Sequence, residues 1–560
     1  MLLVLLVAGM GGAALWATGR GFDVTDEGFY LACYDHPAQS LSGFTQFQWM
    51  LGGTEQARER TVPEWRGLGL ALSLIGALAL ALGVRDWSLR AARDVGEATG
   101  GTPLIALAVI GALSGHYSWP GTPSYNTVLS ASGFAAAGLA FVAAAPGRSR
   151  AGALALSAGA GALVAVAVLA KLPGGAAVAI LLAVLTAVGE GGLAAAAALL
   201  GAAAVTGLTI LQLTVGVAAW WDELRFAIAT VSASSHSGQG GRLFKGAANV
   251  LFWDVLPFTP MLAAVRGLVR AEPGRRTLWI AGAALALGAA AGLTGERFGL
   301  EAAADTAAGA HLLLLLAGAV AVTATPRAPE TALPRAVIVG LAVLVALPLA
   351  CAVGTNNPLR MQIRVHLAPW LVLLALVAGA LRVRLSAASA TALVAGSALL
   401  AAAQFALHVE RWPYRTTRLG SQERSVPDLP RARGLTFEPG VAQFLSELRA
   451  LLDRAGHRPG GALLVFHDLP GLVWLMQGVS PGEAWYYSAN PARTCAVLAH
   501  SRLPLSGARV ITDGDIHASV LAALAQKGVR FPEDFRPVGA LTMPATWGSA
   551  HPITVWSPVR

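Results

Sequence analysis

The chain has 560 residues, of which 55% are hydrophobic and only 13% charged, with a mean hydropathy of +0.59. A soluble chain of this length carries about twice that share of charge, so most of this one belongs in lipid, as a multi-pass membrane protein. The net charge of +9 comes from basic residues scattered over short loops rather than gathered on one face, which excludes a nucleic-acid partner and points to membrane topology.

Residues 1–18 are apolar, lack a basic n-region and precede no convincing cleavage site, so they read as a retained first span. Directly after them comes Phe22-Asp23-Val24-Thr25-Asp26-Glu27-Gly28-Phe29-Tyr30, which puts three carboxylates within five residues beside a membrane surface. Unpaired charge is costly there, so an acidic active site competes with a solvated loop as the explanation. Further apolar segments fall near 67–84, 103–115, 127–145, 152–170, 175–188, 191–217, 250–265, 277–294, 308–322, 336–353, 365–381 and 386–408. With the first segment they make about 13 spans, on the basis that roughly 20 residues cross a bilayer.

Alternating the loops sorts the arginines. With the N-terminus inside, the cytoplasmic connections receive Arg85, Arg90 and Arg93, then Arg148 and Arg150, then Arg266, Arg270, Arg275 and Arg276, then Arg327 and Arg335, then Arg382 and Arg384. Asp23, Asp26, Glu27, Asp35, Asp222, Glu223, Glu296 and Asp305 fall on the other side. This assignment exports the acidic stretch, in an external loop over 20–66, and everything after residue 408. The loop from Ala219 to Asn249, rich in Ser and Gly over 232–241, reads as a long mobile connector that could gate substrate access.

The membrane part therefore covers residues 1–408. Residues 409–439 are rich in Arg, Pro and Ser and read as a linker, and residues 440–560 have a globular pattern. In that tail Val441–Arg454 has helical periodicity, and residues 462–468 and 508–514 read as buried strands. A helix over 516–527 follows, and then a β-rich end, which together make a small α/β domain. His467-Asp468 and Asp513-x-Asp515-x-His517 in it read as polar strand ends and are left out of the site. The cysteines, Cys33, Cys351 and Cys495, have neither metal-ligand nor redox spacing.

If the acidic stretch is helical after Asp23, then Asp23, Glu27 and Tyr30 share a face and Asp26 points about 100° away from Glu27. The two adjacent acids would then do different jobs. A partly desolvated carboxylate at a cavity mouth makes a good general base, and a neighbour can fix the loop through hydrogen bonds or an ion pair. Lys171, between two apolar segments, reads either as a cation for an anionic ligand or as a snorkelling interfacial lysine. Arg360 and Arg364 read either as a phosphate clamp or as a span border. The aromatics of His116-Tyr117-Ser118-Trp119-Pro120 and Trp220-Trp221 read as interface anchors or as platforms for sugar rings.

An acidic pair just after the first span, in a chain of about a dozen spans with an external C-terminal domain, resembles the GT-C glycosyltransferases. The layout is most similar to the lipid A aminoarabinose transferases and their protein O-mannosyltransferase relatives. The quoted matches are Asp26-Glu27, Ala170-Lys171-Leu172-Pro173-Gly174, and Gly354-Thr355-Asn356-Asn357-Pro358 with Arg360, Arg364 and His366. Pro470-Gly471-Leu472 and Trp485-Tyr486-Tyr487 match the outer domains. The Thr25-Asp26-Glu27-Gly28 form departs from the aminoarabinose transferases' version.

The resemblance implies an inverting, cell-envelope glycosyltransferase of the bacterial inner membrane, working in glycan biosynthesis. It would move a sugar from a polyprenyl-phosphate donor to an extracytoplasmic glycan, lipid or protein acceptor. Asp26 and Glu27 would be catalytic, with Asp26 the base, and Lys171, Arg360 and Arg364 would meet the donor phosphate. Tyr30, Asp35, His116, Asn356, Asn357 and His366 would be possible substrate contacts. A monophosphate leaving group handled by such cations requires no metal, although some relatives hold a divalent ion through acids resembling Asp26 and Asp35. A lipid or polysaccharide transporter or flippase, with the acids and Lys171 lining its path, is the alternative. The collection of ionisable groups at span ends counts against it.

Overall fold

The computed structural model describes residues 1–39, 43–233, 310–311, 314–315, 334–354, 357, 359–384, 386–411, 417–501, 503–547 and 550–559. The expected segments 250–265 and 277–294 lie outside these, as does 308–322 apart from four residues. Among the described residues, six helices are long and apolar enough to cross a membrane, or seven if one bent pair is counted as a single span. The protein is a multi-pass helical membrane protein with a small mixed-sheet domain at its C-terminus.

The helices run α1 (Leu2–Ala17), α2 (Asp26–Asp35), α3 (Val62–Ala91), α4 (Gly101–His116), α5 (Tyr125–Ala144), α6 (Arg150–Ala170), α7 (Leu172–Ala187), α8 (Gly192–Thr214), α9 (Val217–Ala233), α10 (Arg335–Ala352), α11 (Leu359–Val365), α12 (Ala368–Arg384) and α13 (Ala387–Arg411). Of these, α3, α5, α6, α8, α10 and α13 pass as spans. α4 passes only with the short helix Arg93–Thr99, from which it is bent by 69°. The segments expected at 1–18 and 175–188 form helices of 16 residues each, and 365–381 becomes a 17-residue helix, so these apolar runs are helical as expected but shorter than the other spans.

Local chemistry sets the ends of these helices. Thr61 caps α3 in a capping box: its hydroxyl accepts from the Glu64 N–H, and Glu64 Oε2 accepts from the Thr61 N–H at 2.6 Å. Ser124 and Ser149 cap α5 and α6 in the same way, at 3.2 and 3.1 Å. Where spans cross, glycine lets backbones touch. A Cβ on Gly83 would stand 2.1 Å from the Gly138 carbonyl oxygen, and one on Gly161 would stand 2.1 Å from that of Leu199.

The expected mobile loop after residue 219 is, over its described part, the helix α9, because Val217 to Ala233 carries a helical apolar stripe. Phe226 on α9 packs on His500, 4.1 Å between ring centroids. The expected linker is packed too. From 418 to 439 it buries Leu419, Val426, Leu429, Leu435 and Phe437, and Thr436 bridges to Arg20 at the end of the first helix.

The tail holds α14 (Pro439–Arg454), β1 (Leu463–Phe466), α15 (Pro470–Leu475), α16 (Pro491–Ala499), β2 (Arg509–Thr512), α17 (Ala518–Gln526), β3 (Phe535–Thr542) and β4 (Pro552–Pro558). The sheet order is β1-β2-β4-β3, with β1 and β2 parallel and β4 antiparallel to both neighbours. The wholly buried β1 and the apolar stripe of α14 form the core of the domain.

Candidate active site

The acidic stretch folds from its own hydrogen bonds. Asp23 Oδ1 accepts from the Thr25 N–H at 2.8 Å and from its hydroxyl at 2.7 Å, and Oδ2 accepts from the Glu27 N–H at 2.9 Å. The Asp23 N–H donates back to Glu27 Oε2 at 3.1 Å. This reciprocal pairing satisfies donors that would otherwise be orphaned at the start of α2. Burial, and then the charge of Asp26, pushes the Asp23 carboxyl up to about 7.

A helix running from Asp23 would set Tyr30 on the face of Asp23 and Glu27. The helix instead begins at Asp26, so Asp23 lies outside it, and Tyr30 falls one turn below Asp26. The Tyr30 hydroxyl donates to Asp26 Oδ1 at 3.4 Å and accepts from Trp119 Nε1 at 3.0 Å. Asp26 itself is half-buried.

Glu27 is 1% exposed and meets Arg66 through two parallel bonds, Nε to Oε1 at 2.8 Å and Nη2 to Oε2 at 2.7 Å. The Thr122 hydroxyl donates to Oε1 at 2.6 Å. The other Arg66 donors go to the carbonyls of Thr18, Arg20 and Gly21, each at 2.8 Å, so every N–H of the guanidinium has an acceptor. Burial works to raise the Glu27 pKa. The Arg66 charge and these hydrogen bonds override it and hold the carboxyl below its ordinary value.

Lys171, in the one-residue gap between α6 and α7, is 1% exposed. Its Nζ donates to Asn126 Oδ1 at 3.1 Å and to the Cys351 carbonyl at 2.9 Å, and lies 5.9 Å from the centroid of the Tyr125 ring. The amine is enclosed rather than snorkelling, and burial pulls its pKa down to about 7. Tyr125 in turn meets Tyr30 edge to face, 5.9 Å between centroids, with the two hydroxyls in hydrogen-bonding contact. Asp26 and Lys171 thus border one aromatic pair. The loop between the first and third helices folds over the lysine, since the Leu172 N–H donates to the Phe44 carbonyl at 3.1 Å and the Gln46 N–H to that of Leu169 at 2.7 Å.

The remaining candidates are dispersed. Asp35 pairs with Arg431 of the 418–439 segment, while Arg58 Nε donates to its carbonyl at 3.1 Å. Burial outweighs both cations and pushes the Asp35 carboxyl up to about 6. His116, buried at the end of α4, faces Ser73 at 3.4 Å, and His366 Nδ1 lies 2.6 Å from the Ser130 hydroxyl. His116, Ser73, Thr127 and Ser130 border a cavity of about 20 Å³, room for about one water. Arg364 is buried, with its charge in range of His408 on α13. Asn357 is half-buried. Asn356 and the Arg360 side chain lie outside the described residues.

Asp26 and Asp35, the acids through which the resemblance would hold a divalent ion, are engaged separately, one with Tyr30 and one with Arg431. Among the described residues no group of three or more His, Cys, Asp or Glu could hold a metal ion. Asp26 and Asp35, so engaged, do not fit such an ion.

Arg66, Thr122, Tyr125 and Asn126 join these groups without being among the candidates named from sequence. Arg66 had a signal, as a lone arginine at the mouth of a long apolar run. Tyr125-Asn126, just after a capping serine, looked like any helix start.

No family model matches the chain, and no curated protein matches it. Two crystal structures are similar to it over nearly their whole length. One is ArnT from Cupriavidus metallidurans bound to undecaprenyl phosphate, 15% identical, covering 99% of this chain and 98% of that one, with a TM-score of 0.36. The other is ArnT from Cupriavidus metallidurans in the apo state, 15% identical, covering 99% and 97%, with a TM-score of 0.37. At TM-scores this low the likeness carries no argument about the site or its chemistry.

Proposed function

We propose that the protein is a membrane glycosyltransferase that moves a sugar from a polyprenyl-phosphate donor to a hydroxyl of an extracytoplasmic acceptor. The observation that carries this reading is the placement of half-buried Asp26 and enclosed Lys171 on either side of the Tyr30–Tyr125 pair. In an inverting displacement the acceptor oxygen attacks the anomeric carbon, the bond from that carbon to the phosphate oxygen breaks, and the acceptor proton passes to Asp26. The departing phosphate gains charge, and Lys171 is the preorganised cation for it. By the resemblance alone, Arg364 and Arg360 of α11 would be further cations for the same phosphate. Glu27, spent on Arg66, positions α2 and leaves proton transfer to Asp26.

The test is sugar transfer by the purified full chain in lipid nanodiscs from undecaprenyl-phosphate sugars to membrane acceptors. Asp26→Asn should lower turnover by on the order of 10² or more, with the thermal midpoint unchanged. Lys171→Ala should raise the apparent donor KM and leave the acceptor KM alone. Near-normal transfer by the Asp26 variant would overturn the reading.

A further inference from the structure

Lys171 is gripped where three spans meet. It fills the gap between α6 and α7, the first turn of α5 supplies Tyr125 and Asn126, and the last turn of α10 supplies the Cys351 carbonyl. The last carbonyls of a helix have no partner within it and carry the negative end of its dipole, so this carbonyl suits a cation. An ammonium has three N–H groups, and among the described residues two of them find acceptors, both uncharged.

Asn126 has a single side-chain bond. It is fully buried, its Oδ1 accepts from the lysine at 3.1 Å, and its Nδ2 has no partner among the described residues. A buried amide nitrogen left unpaired costs free energy, so packing alone would favour an apolar residue here. The start of α5 does not need the carboxamide either. The Ser124 hydroxyl caps the helix at the Thr127 N–H, and the Asn126 main-chain carbonyl accepts from the Ser130 hydroxyl at 2.8 Å. What the side chain does is hold the amine. A carboxylate of the same shape would hold it too, but would cancel the positive field that an anion meets.

We propose that Asn126 is a positioning residue for the donor phosphate, fixing the Lys171 amine through an uncharged acceptor so that its charge and its third N–H remain for the phosphate. This rests on the glycosyltransferase reading and deepens it. The effect of Asn126 runs through Lys171. The neutral grip is what separates a lysine kept for a ligand from one spent on a structural ion pair, as Arg66 is spent on Glu27.

The experiment is a double-mutant cycle on the affinity of the full chain in nanodiscs for undecaprenyl phosphate, with thermal midpoints read in the same preparations. Asn126→Ala should weaken binding about tenfold, as expected for one hydrogen bond to a charged group. In a Lys171→Ala background the same change should cost less than about twofold, because nothing is left to hold. Asn126→Asp keeps the oxygen and the shape, and should weaken binding at least as much as Asn126→Ala. Where Asn126→Ala melts early, Asn126→Asp decides. Wild-type affinity in either variant overturns the proposal. So does an undiminished loss in the Lys171→Ala background, which would make Asn126 act independently of the lysine. If Lys171→Ala loses affinity and the Asn126 variants do not, this proposal falls alone. If Lys171→Ala itself binds as wild type does, the lysine's place in the transferase reading falls with it.

Discussion

Two adjacent acids can hold opposite offices when one helical step separates their surroundings. Glu27 points into Arg66 and Thr122 and is sealed, whereas Asp26 remains half-buried against Tyr30. The Glu27–Arg66 pair also collects the carbonyls of Thr18, Arg20 and Gly21, so it fixes the end of the first helix, the start of α2 and the start of α3 at one point. Removing one partner of such a pair leaves an uncompensated buried charge. We therefore expect Glu27→Gln to destabilise the chain by about 3 kcal/mol, and to lower transfer by displacing α2 rather than by removing a base. The check is a chemical or thermal unfolding series with turnover measured in the same preparation. An unchanged midpoint together with lost turnover would make Glu27 a catalytic group instead. That the two acids have different surroundings was legible from the 100° step of a helix. Which one is sealed depended on Arg66, 39 residues away, and no local pattern announces such a partner.

Among the elements, α2 is set by one close approach. A Cβ on Gly28 would stand 2.1 Å from Gly471 Cα and 2.5 Å from its nitrogen, so two backbones touch where any side chain would keep them apart. Backbone cannot move aside as a flexible side chain can. Gly28→Ala is expected to destabilise the seam by about 2 kcal/mol or more, within the range for overpacking, and to reduce transfer without any change of charge. Hydrogen exchange on residues 22–30 and 470–475 checks this, because faster exchange should appear in both segments together. The six helices long and apolar enough to cross were legible, since such runs need only hydropathy to be found. The 418–439 segment was not. Its Arg, Pro and Ser content reads as a linker, yet Leu419, Leu429, Leu435 and Phe437 bury themselves at irregular spacing that shows neither helical nor strand period.

At the scale of the whole molecule, the stretch after the first helix is held by carboxyls whose pKa values folding shifts in opposite directions. Asp23 is pushed from the ordinary 3.8 up to about 7, and Asp35 up to about 6 despite Arg431. Each therefore binds its proton more tightly when folded than when unfolded. Their contribution to stability is fully present below the ordinary 3.8 and is lost as pH rises through about 6 for Asp35 and about 7 for Asp23. Glu27, held below the ordinary 4.5, has the reverse sign: its contribution is present above that value and is lost as pH falls through its folded pKa. The thermal midpoint of the full chain in nanodiscs of fixed lipid should thus be highest at mildly acidic pH and fall towards neutrality. The slope should approach about 1.4 kcal/mol per pH unit for each proton held only by the folded state. Asp23→Asn keeps an oxygen acceptor for the α2 cap and has no charge to titrate. It should remove the fall between about 6 and 7 and roughly halve it between about 4 and 6, where Asp35 then titrates alone. A midpoint that rises from mildly acidic to neutral pH, or an Asp23→Asn profile that overlays the wild type, would show that burial does not govern these carboxyls. The acidic loop would then be held by its ion pairs alone.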